Sequence, residues 1–397
     1  MSSHGEFRLM PTSLDVTTSI WSERGWTYQE ARLARRLLYF TYWQLYFERP
    51  GLVDSELTFP LANPSIPRDL HEEYMYSADA FPSRPFNVYE CIRSYSPRQL
   101  TFPNDIIRAF LGVFSVFEKE YNMRHLWGLP FVAHRPAFVN DVWYFFPSLS
   151  SSLLWQTADA DDMSDWLARR PGFPSWSWTG WFGIVAQPNV GILEDMREQA
   201  NIHKVEISSV HHPTAEPDMH VEIELVSGAR ISWNEYQQNY ELYKYGISDL
   251  LRPFIHVTAY TTPIRFKQVF DGEVDSNIPD PFEPCRFDLS FERKDGGWWH
   301  KSSRHIKHTA SIQNLSDDDN LLALHIRPSW YTLFDLENPY EPIYDLLRKS
   351  GDQRKLEHLL IILRQREDHW ERFFAVRADD QQPLKDLKMV RQTIRWG

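Results

Sequence analysis

The sequence is poor in cysteine, in long apolar runs and in positive charge. Its two cysteines, Cys91 and Cys285, lie far apart and form no C-x-x-C motif. This spacing excludes a disulfide scaffold and a cysteine-based zinc site, and it is typical of a reducing compartment. The most apolar stretch, residues 106–117, is interrupted by Arg108 and is shorter than the roughly 18–20 residues that span a bilayer.

The charge balance and the first residues narrow the range of partners. The net charge of −12 is spread over both halves, so the sequence predicts no basic face that would neutralise phosphates. Residues 1–8 contain no apolar run of the kind that a signal peptide needs. We therefore expect a cytoplasmic protein that binds neither nucleic acid nor a membrane.

Aromatic residues are abundant and indicate a packed globular protein. The chain of 397 residues contains 16 Trp and 25 Phe, and large aromatic side chains dominate the cores in which they are buried. A single core rarely serves more than about 250–300 residues, so this length predicts two or three domains.

The first half mixes helical patterns with irregular aromatic segments. The clearest helix is predicted from Asn104 or Asp105 to Tyr121, with Pro103 and Asn104 as its start and cap. The apolar residues at helical spacing are Ile107, Phe110, Leu111, Phe114, Phe117 and Tyr121. A second helix is predicted over Asp162–Arg169, because the Pro-Gly pair that follows it cannot continue a helix.

Beyond residue 200 apolar and polar residues alternate, as they do in half-buried strands. The predicted strands cover 204–207, 220–225, 231–233, 254–260, 286–292, 321–326, 358–364, 373–377 and 393–396. Segments 55–85 and 271–284 are rich in Pro and acidic residues and predict surface loops. The predicted fold class is α+β, with a mixed helical, aromatic-rich N-terminal half and a β-rich, sandwich or barrel-like C-terminal half.

The string Thr-Tyr-Gln-Glu at residues 27–30 has the spacing of a helix capping box. In such a box the hydroxyl of Thr27 accepts a hydrogen bond from the backbone N–H of Glu30, and the carboxylate reaches back to the backbone N–H of the cap. This interpretation gives Glu30 a structural role.

A longer string around this box resembles the closing block of the fungal heterokaryon-incompatibility (HET) domain. The matching residues of Arg-Gly-Trp-Thr-Tyr-Gln-Glu are Arg24, Trp26, Thr27, Gln29 and Glu30. An alternating Leu and Arg segment follows, as it does in the family.

Further blocks match the same family in the same order. Residues 95–112 resemble the segment that follows the HET domain, with Arg98 and Asp105 at matching positions. A later Pro-Ser-Trp-Ser-Trp string contains Trp176 and Trp178. The two front blocks of the HET domain are absent, so the chain looks like a truncated member, a split gene or a mispredicted start.

The resemblance implies a division into three parts. Residues 1–50 would be the closing part of a HET domain, residues 51–190 a helical HET-associated region, and residues 191–397 a β-rich domain. The family acts in fungal self/non-self recognition (allorecognition) and in programmed cell death, with an innate-immunity-like character. We expect non-enzymatic recognition of a protein partner or self-association, with no cofactor, no metal and no catalytic residue.

Two alternatives stay open at this stage. HET domains are distantly similar to TIR domains, some of which cleave NAD, so the resemblance implies a TIR-like NAD-cleaving remnant that needs the missing front blocks. Glu30 is the acidic residue of the matching block that would test it. A carbohydrate-binding β-domain is the other alternative, with Trp176, Trp178 and Trp181 as an aromatic surface. Burial of these three rings in a core is the interpretation that their size favours.

One cluster of histidines and one of aspartates resemble metal sites in composition, but their spacing does not support metal binding. His300, His305 and His308 lie among Lys and Arg residues, and strand alternation points the last two to opposite faces, which favours a solvated basic edge over a metal site. The aspartates of residues 159–165 lack the Gly and Glu of a calcium loop and are better explained as charge at a helix N-terminus. Phosphate-loop, serine-hydrolase and zinc-protease motifs are absent, and paired glycosidase carboxylates stay open because no pair stands out.

Overall fold

The structure is a computed structural model that divides into two compact units, unit 1 (Met1–Glu120) and unit 2 (Tyr121–Gly397). It combines helices and strands, with a helical, aromatic-rich N-terminal half and a β-rich C-terminal half, so the α+β fold class is confirmed. The division of the sequence into three parts stays a prediction. The structure describes residues 16, 19–42, 45–49, 52–55, 87–132, 147–157, 168–186, 219–244, 247–269, 286–303, 320–326, 358–378 and 386–397.

Unit 1 combines four helices with a small antiparallel sheet in its described part. Strand β1 pairs with β2, and β2 pairs with β3, so β1 is an edge strand. The elements are α1 (Ile20–Glu23), α2 (Gly25–Leu33), β1 (Leu37–Phe40), β2 (Leu45–Arg49), β3 (Leu52–Ser55), α3 (Asn87–Tyr95) and α4 (Leu111–Tyr121, which ends one residue into unit 2).

The predicted capping box of residues 27–30 is wrong. Helix α2 begins at Gly25 with Arg24 as its N-cap, so Thr27 lies inside the helix. The start is set by the chain beside it, because Arg24 and Gln99 form a bridge and the N–H of Gly25 donates to the Gln99 carbonyl at 2.7 Å. The Thr27 hydroxyl instead donates back to the carbonyls of Trp21 and Arg24.

The predicted helix from residue 104 begins later than expected. Two 3₁₀ turns, Pro103–Asp105 and Arg108–Phe110, precede α4, and Phe102 rather than Asn104 is the first N-cap. The Tyr95 hydroxyl donates to the Ile106 carbonyl at 2.8 Å, which occupies the acceptor that an α-helix would use there. The apolar stripe is buried as predicted at Ile107, Phe110, Phe114, Phe117 and Tyr121, while Leu111 is half-buried.

Unit 2 contains a nine-stranded sheet and two short hairpins in its described part. Most predicted strands of the C-terminal half are present within a few residues of their expected ends. The elements are β4 (Met123–Leu126), β5 (Leu129–Val132), α5 (Leu149–Leu153), β6 (Gln156–Thr157), a 3₁₀ turn (Trp178–Gly180), β7 (Val185–Ala186), β8 (His220–Leu225), β9 (Arg230–Ser232), α6 (Trp233–Gln238), α7 (Tyr240–Tyr243), α8 (Ile247–Leu250), β10 (Leu251–Val269), β11 (Arg286–Glu292), β12 (Trp298–Ser303), β13 (Leu321–His325), β14 (His358–Gln365), β15 (Trp370–Ala378) and β16 (Val390–Trp396).

The pairings of this sheet close a five-stranded ring. The long strand β10 pairs with β13 at one part of its length and with β16 at another, and β13, β14, β15 and β16 follow one another around the circuit. The closing contact is the parallel pair of Trp370 with Trp396. The prediction of a β-rich C-terminal half is confirmed, and of its sandwich and barrel-like alternatives these pairings correspond to the barrel-like one. Its buried core includes Ile264, Leu289, Phe291, Leu321, Ala323, Leu360, Ile362, Val376 and Leu387.

Some predicted helices and strands have other ends in the structure, and other predicted segments lie outside the described residues. Trp233 begins helix α6 rather than ending a strand, because Ser232 and Glu235 form a capping box. Arg169 pairs with Trp181 in a bridge instead of ending a helix. The strand at 204–207, the helix residues 162–167, and nearly all of the predicted loops 55–85 and 271–284 lie outside the described residues. Within the described part of the chain, every helix is too short or too polar to cross a bilayer.

Candidate functional site

The motif residues of α2 pack against the later motif segment of unit 1. The ring of Tyr28 is fully buried, and its centroid lies 5.7 Å from that of Tyr95 and 6.2 Å from that of Phe110. Burial raises the pKa of Tyr28 well above its usual range, with a smaller contribution from the Cys91 thiol. The guanidinium of Arg98 lies 4.7 Å from the Tyr28 ring centroid. Residues separated by about seventy positions therefore form one packed structure.

Gln29 and Arg98 also join this structure through hydrogen bonds. The side-chain oxygen of Gln29 accepts from the N–H of Gly112 at 2.6 Å, and a Cβ at Gly112 would collide with Gln29 and Leu33. Arg98 donates from Nε to the Ser94 carbonyl at 3.1 Å and from Nη1 to the Ser22 carbonyl. These two motif residues therefore stabilise the fold rather than face a ligand.

We expect Gln29→Ala to lower the free energy of unfolding of unit 1 by about 1–2 kcal/mol, because the Gly112 N–H loses its acceptor. Glu30→Gln, which changes the exposed neighbour of Gln29, should leave stability within about 0.5 kcal/mol of the wild type. Urea unfolding followed by circular dichroism measures both. Equal effects of the two substitutions would contradict the structural role of Gln29.

The other motif residues of unit 1 point outward or lie at turns. Glu30 is exposed on α2, and Trp26 is 39% exposed on the same helix. Arg24 is exposed beside Gln99, and the Asp105 carboxylate lies 3.9 Å from the Arg108 guanidinium.

Residues of strand β1 and of helices α1 and α2 line a groove of about 740 Å³, which we call the β1 groove. It is open and apolar on the β1 side, where Leu38, Phe40 and Tyr42 are 53%, 77% and 91% exposed. Glu30 contributes a carboxylate. The described lining residues are Val16, Ser19, Trp21, Glu30, Leu37, Leu38, Tyr39, Phe40, Thr41 and Tyr42.

Aromatic rings and a buried carboxyl group form the inner side of the groove. The rings of Trp21 and Tyr39 are 5.7 Å apart at an interplanar angle of 80°. The hydroxyl of Tyr39 donates to Oε2 of Glu48 at 2.8 Å, while Oε1 of Glu48 has no hydrogen-bond partner among the described residues. Burial raises the pKa of Glu48, and the Tyr39 hydrogen bond and Arg32 act in the opposite direction.

The tryptophan motif of unit 2 is core. Trp176, Trp178 and Trp181 are at most 6% exposed, and the indole N–H groups of Trp178 and Trp181 donate to the carbonyls of Gly128 and Ser175 at 2.7 and 2.8 Å. The core interpretation is confirmed, and the alternative of an aromatic binding surface at these residues is wrong. Large rings with inward hydrogen bonds offer no face to a sugar.

A buried arginine connects this motif region to the ring of strands. Arg372 of β15 is 3% exposed, donates from Nη1 to the Leu153 carbonyl at 2.9 Å and from Nη2 to the Trp155 carbonyl, and lies 3.8 Å from the Trp155 ring centroid. Burial lowers the pKa of Arg372 to about 9. Its described partners are backbone carbonyls and a ring, which identifies a structural clamp.

The main charged cluster of unit 2 is also structural. Glu224 accepts from Nε and Nη2 of Arg395 at 2.9 and 3.0 Å, from Nη1 of Arg252 at 3.1 Å, and lies 3.2 Å from Nε2 of His256. The hydrogen bonds from Arg395 lower the pKa of Glu224 to about 2. The cluster joins β8, β10 and β16, because Arg252, His256 and Arg395 each contact the Glu224 carboxylate.

The histidine and aspartate clusters of the sequence are only partly described. His300 lies on β12 with Nδ1 2.7 Å from the Ser290 hydroxyl, while His305, His308 and the aspartates of 159–165 lie outside the described residues. Among the described side chains, no group of three or more His, Cys, Asp or Glu residues is placed to hold a metal ion.

The β1 groove is the candidate site because it combines exposed apolar side chains, aromatic rings and a motif carboxylate. Sequence reasoning missed Leu38 and Phe40, although the alternation of Leu-Leu-Tyr-Phe in β1 places both on one face of the strand. Comparisons with protein-family models, with curated proteins and with solved structures found no match to the chain.

Proposed function

We propose that this chain is a HET-family protein that acts by recognising a protein partner, or a second copy of itself, through the β1 groove. Its role would be self/non-self recognition and cell-death signalling, without catalysis. The observation that carries the proposal is the exposed apolar side of the groove, formed by Leu38, Phe40 and Tyr42 next to the motif helix α2.

The physical support comes from the cost of leaving such residues in water. A fully buried aromatic side chain removes roughly 150–250 Å² from solvent, and contiguous exposed apolar patches commonly mark interaction sites. Phe40 is 77% exposed, so most of its apolar surface is available to a partner. Aromatic residues are also the typical hot spots of protein interfaces.

The packing of unit 1 supports the family assignment. The resemblance predicts that the block at residues 24–30 and the block at residues 95–112 belong to one domain. Both blocks meet in unit 1, where Gln29 contacts Gly112 and Arg98 lies over Tyr28. Independent, unrelated matches would give no reason for these contacts.

NAD cleavage is the alternative, and the position of Glu30 in the groove favours it. A volume of about 740 Å³ lies in the range of small-molecule sites, and an exposed carboxylate is present. This candidate ranks second to the recognition of a protein partner. It requires that the full chain release nicotinamide from NAD and that Glu30→Gln abolish the release.

The recognition proposal is tested with Phe40→Ser in the full chain. We expect this variant to retain about tenfold less partner, or second copy, than the wild type, since truncating a central aromatic contact costs at least about 1.4 kcal/mol. The matched control is Val390→Ser, which removes another half-exposed apolar side chain, on β16 of unit 2. Retention from a native lysate and sedimentation of the purified protein measure the two kinds of partner.

The proposal fails if the wild-type chain is monomeric and retains no protein. It also fails if Phe40→Ser and Val390→Ser retain equal amounts. Circular dichroism of both variants establishes that folded proteins are compared.

A further inference from the structure

Strand β1 is an edge strand that lacks the usual protection against pairing with another chain. Among the described residues its strand neighbour is β2, in a regular register without a bulge. Its sequence, Leu-Leu-Tyr-Phe, contains neither a charged residue nor a proline. Natural edge strands commonly carry a charge, a proline or a bulge, and the edge strand β9 of unit 2 carries the exposed Arg230.

The outer face of β1 continues across β2 as an apolar surface. Leu38 and Phe40 are 53% and 77% exposed, whereas Tyr39 between them is buried on the other face of the strand. In the register of the sheet Leu38 lies opposite Phe47 and Phe40 lies opposite Leu45. The side chains of Leu45 and Phe47 are half-buried. A further strand beside β1 would extend this apolar face and cover part of Leu38 and Phe40.

The same strand from a second copy fits this edge when it runs antiparallel. A two-fold axis at Tyr39 places Leu38 of each copy opposite Phe40 of the other, so the contact occurs twice. The flanking Leu45 and Phe47 of both copies then prolong these pairs into two continuous apolar rows. The surface is therefore complementary to itself, as a two-fold interface requires.

The two arginines that precede β1 favour this direction over the parallel one. Arg35 and Arg36 are both exposed. In a parallel pair they would lie beside the same residues of the second copy, and like charges opposite one another are destabilising. In the antiparallel pair they lie at opposite ends of the joined strands. Arg36 then lies beside Tyr42 of the second copy, whose ring is 91% exposed and attracts a cation.

We propose that the partner recognised at this surface is a second copy of the chain, whose β1 pairs antiparallel with β1 in the register centred on Tyr39. The two three-stranded sheets then form one continuous sheet. This inference rests on the proposed function, since it names the partner at the same site. The paired strands have only four residues each, so the dimer is reversible and depends on protein concentration.

Charged substitutions at positions 38 and 40 test both the partner and the register. Leu38→Lys alone and Phe40→Glu alone should each weaken dimerisation of the full chain about tenfold, because the two-fold axis places two charges in the apolar rows. An equal mixture of these variants should form a heterodimer within about threefold of the wild-type affinity. In that heterodimer opposite charges face each other in one pair, and the other pair is unchanged.

The matched control is a mixture of Leu38→Lys with Leu38→Glu. It should dimerise as weakly as either variant alone, because position 38 faces position 40 and not itself. Sedimentation equilibrium measures the affinities, and circular dichroism establishes that each variant is folded.

A wild-type chain that stays monomeric at every concentration would overturn the inference. So would equal recovery in the two mixtures, or recovery in neither. These outcomes are separate from failure of the proposed function. If the wild type is monomeric while Phe40→Ser releases a protein of the lysate, recognition through the groove stands and the second copy is rejected as its occupant. If the wild type neither dimerises nor retains a protein, both proposals fail.

Discussion

Replacing Trp178 by alanine is expected to lower the free energy of unfolding of unit 2 by about 3–5 kcal/mol, the usual cost of removing a buried tryptophan from a core. The side chain is 2% exposed and lies against Gly128, whose backbone has a positive φ of 89°. Its indole N–H donates to the Gly128 carbonyl at 2.7 Å. The substitution therefore removes packing and leaves a buried acceptor with one donor fewer.

Two further variants separate these effects. Trp178→Phe keeps much of the packing and loses the hydrogen bond, so we expect an intermediate loss of about 1–2 kcal/mol. Trp298→Ala, at a half-buried position on β12, should cost about 1 kcal/mol. Urea unfolding measures all three. If Trp178→Ala is no worse than Trp298→Ala, the tryptophan motif is not the core element that its burial indicates.

Acid is expected to destabilise unit 2 through His125. Burial, with a smaller effect of Lys244, lowers the pKa of His125 to about 3 from an ordinary value of 6.5. Between these values the unfolded chain binds a proton that the folded chain excludes, so stability is fully present above pH 6.5 and is lost as the pH falls. The loss from this residue between pH 7 and pH 4.5 is about 2.5 kcal/mol.

The variant His125→Asn removes this titration while it keeps an acceptor for the Gly128 N–H, which lies 3.4 Å from Nδ1. The free energy of unfolding falls between pH 7 and pH 4.5. This decrease should be about 2.5 kcal/mol smaller in the variant than in the wild type. His220→Asn, at an exposed position on β8, should keep the wild-type difference. The range stops at pH 4.5 because Glu224, whose pKa is about 2, loses its contribution below that value. An unchanged pH dependence in His125→Asn would contradict a neutral, buried imidazole.

The strands of unit 2 were largely predictable because alternation of apolar and polar residues is a local property. The strands at 220–225 and 286–292 have the predicted ends, and the strand predicted at 358–364 ends one residue later. The ring closed by β10, β13, β14, β15 and β16 was not predictable in detail. It depends on which strands pair along the 19 residues of β10, and these pairings join segments far apart in the chain.

The helix starts show how tertiary contacts override local signals. Thr27 and Glu30 have the spacing of a capping box, but the bridge between Arg24 and Gln99 moves the start of α2 to Gly25. Ser232 and Glu235 have the same kind of pattern and do form the box, in a segment where no such bridge competes among the described residues. Both segments have a hydroxyl residue three positions before a glutamate, so the local signal for a capping box is similar. The long-range pairing of Arg24 with Gln99 explains why the box forms only at Ser232.

Only part of the candidate site could be predicted from the sequence. The family resemblance singled out Glu30, which lines the β1 groove, but it also singled out Gln29, Arg98 and Trp178, whose side chains stabilise the fold. Matching motif residues mark positions that matter without distinguishing packing from binding. Phe40 could be recognised as a site residue only from the structure, because its exposure depends on the edge position of β1.

The central claim, recognition through the β1 groove, is tested most directly by the ratio of partner retained by Phe40→Ser to partner retained by Val390→Ser at equal concentrations of folded protein. Our account predicts a ratio of about one tenth or less, because Phe40 lines the groove and Val390 lies on unit 2. A ratio near one, with both variants retaining as much as the wild type, would contradict it.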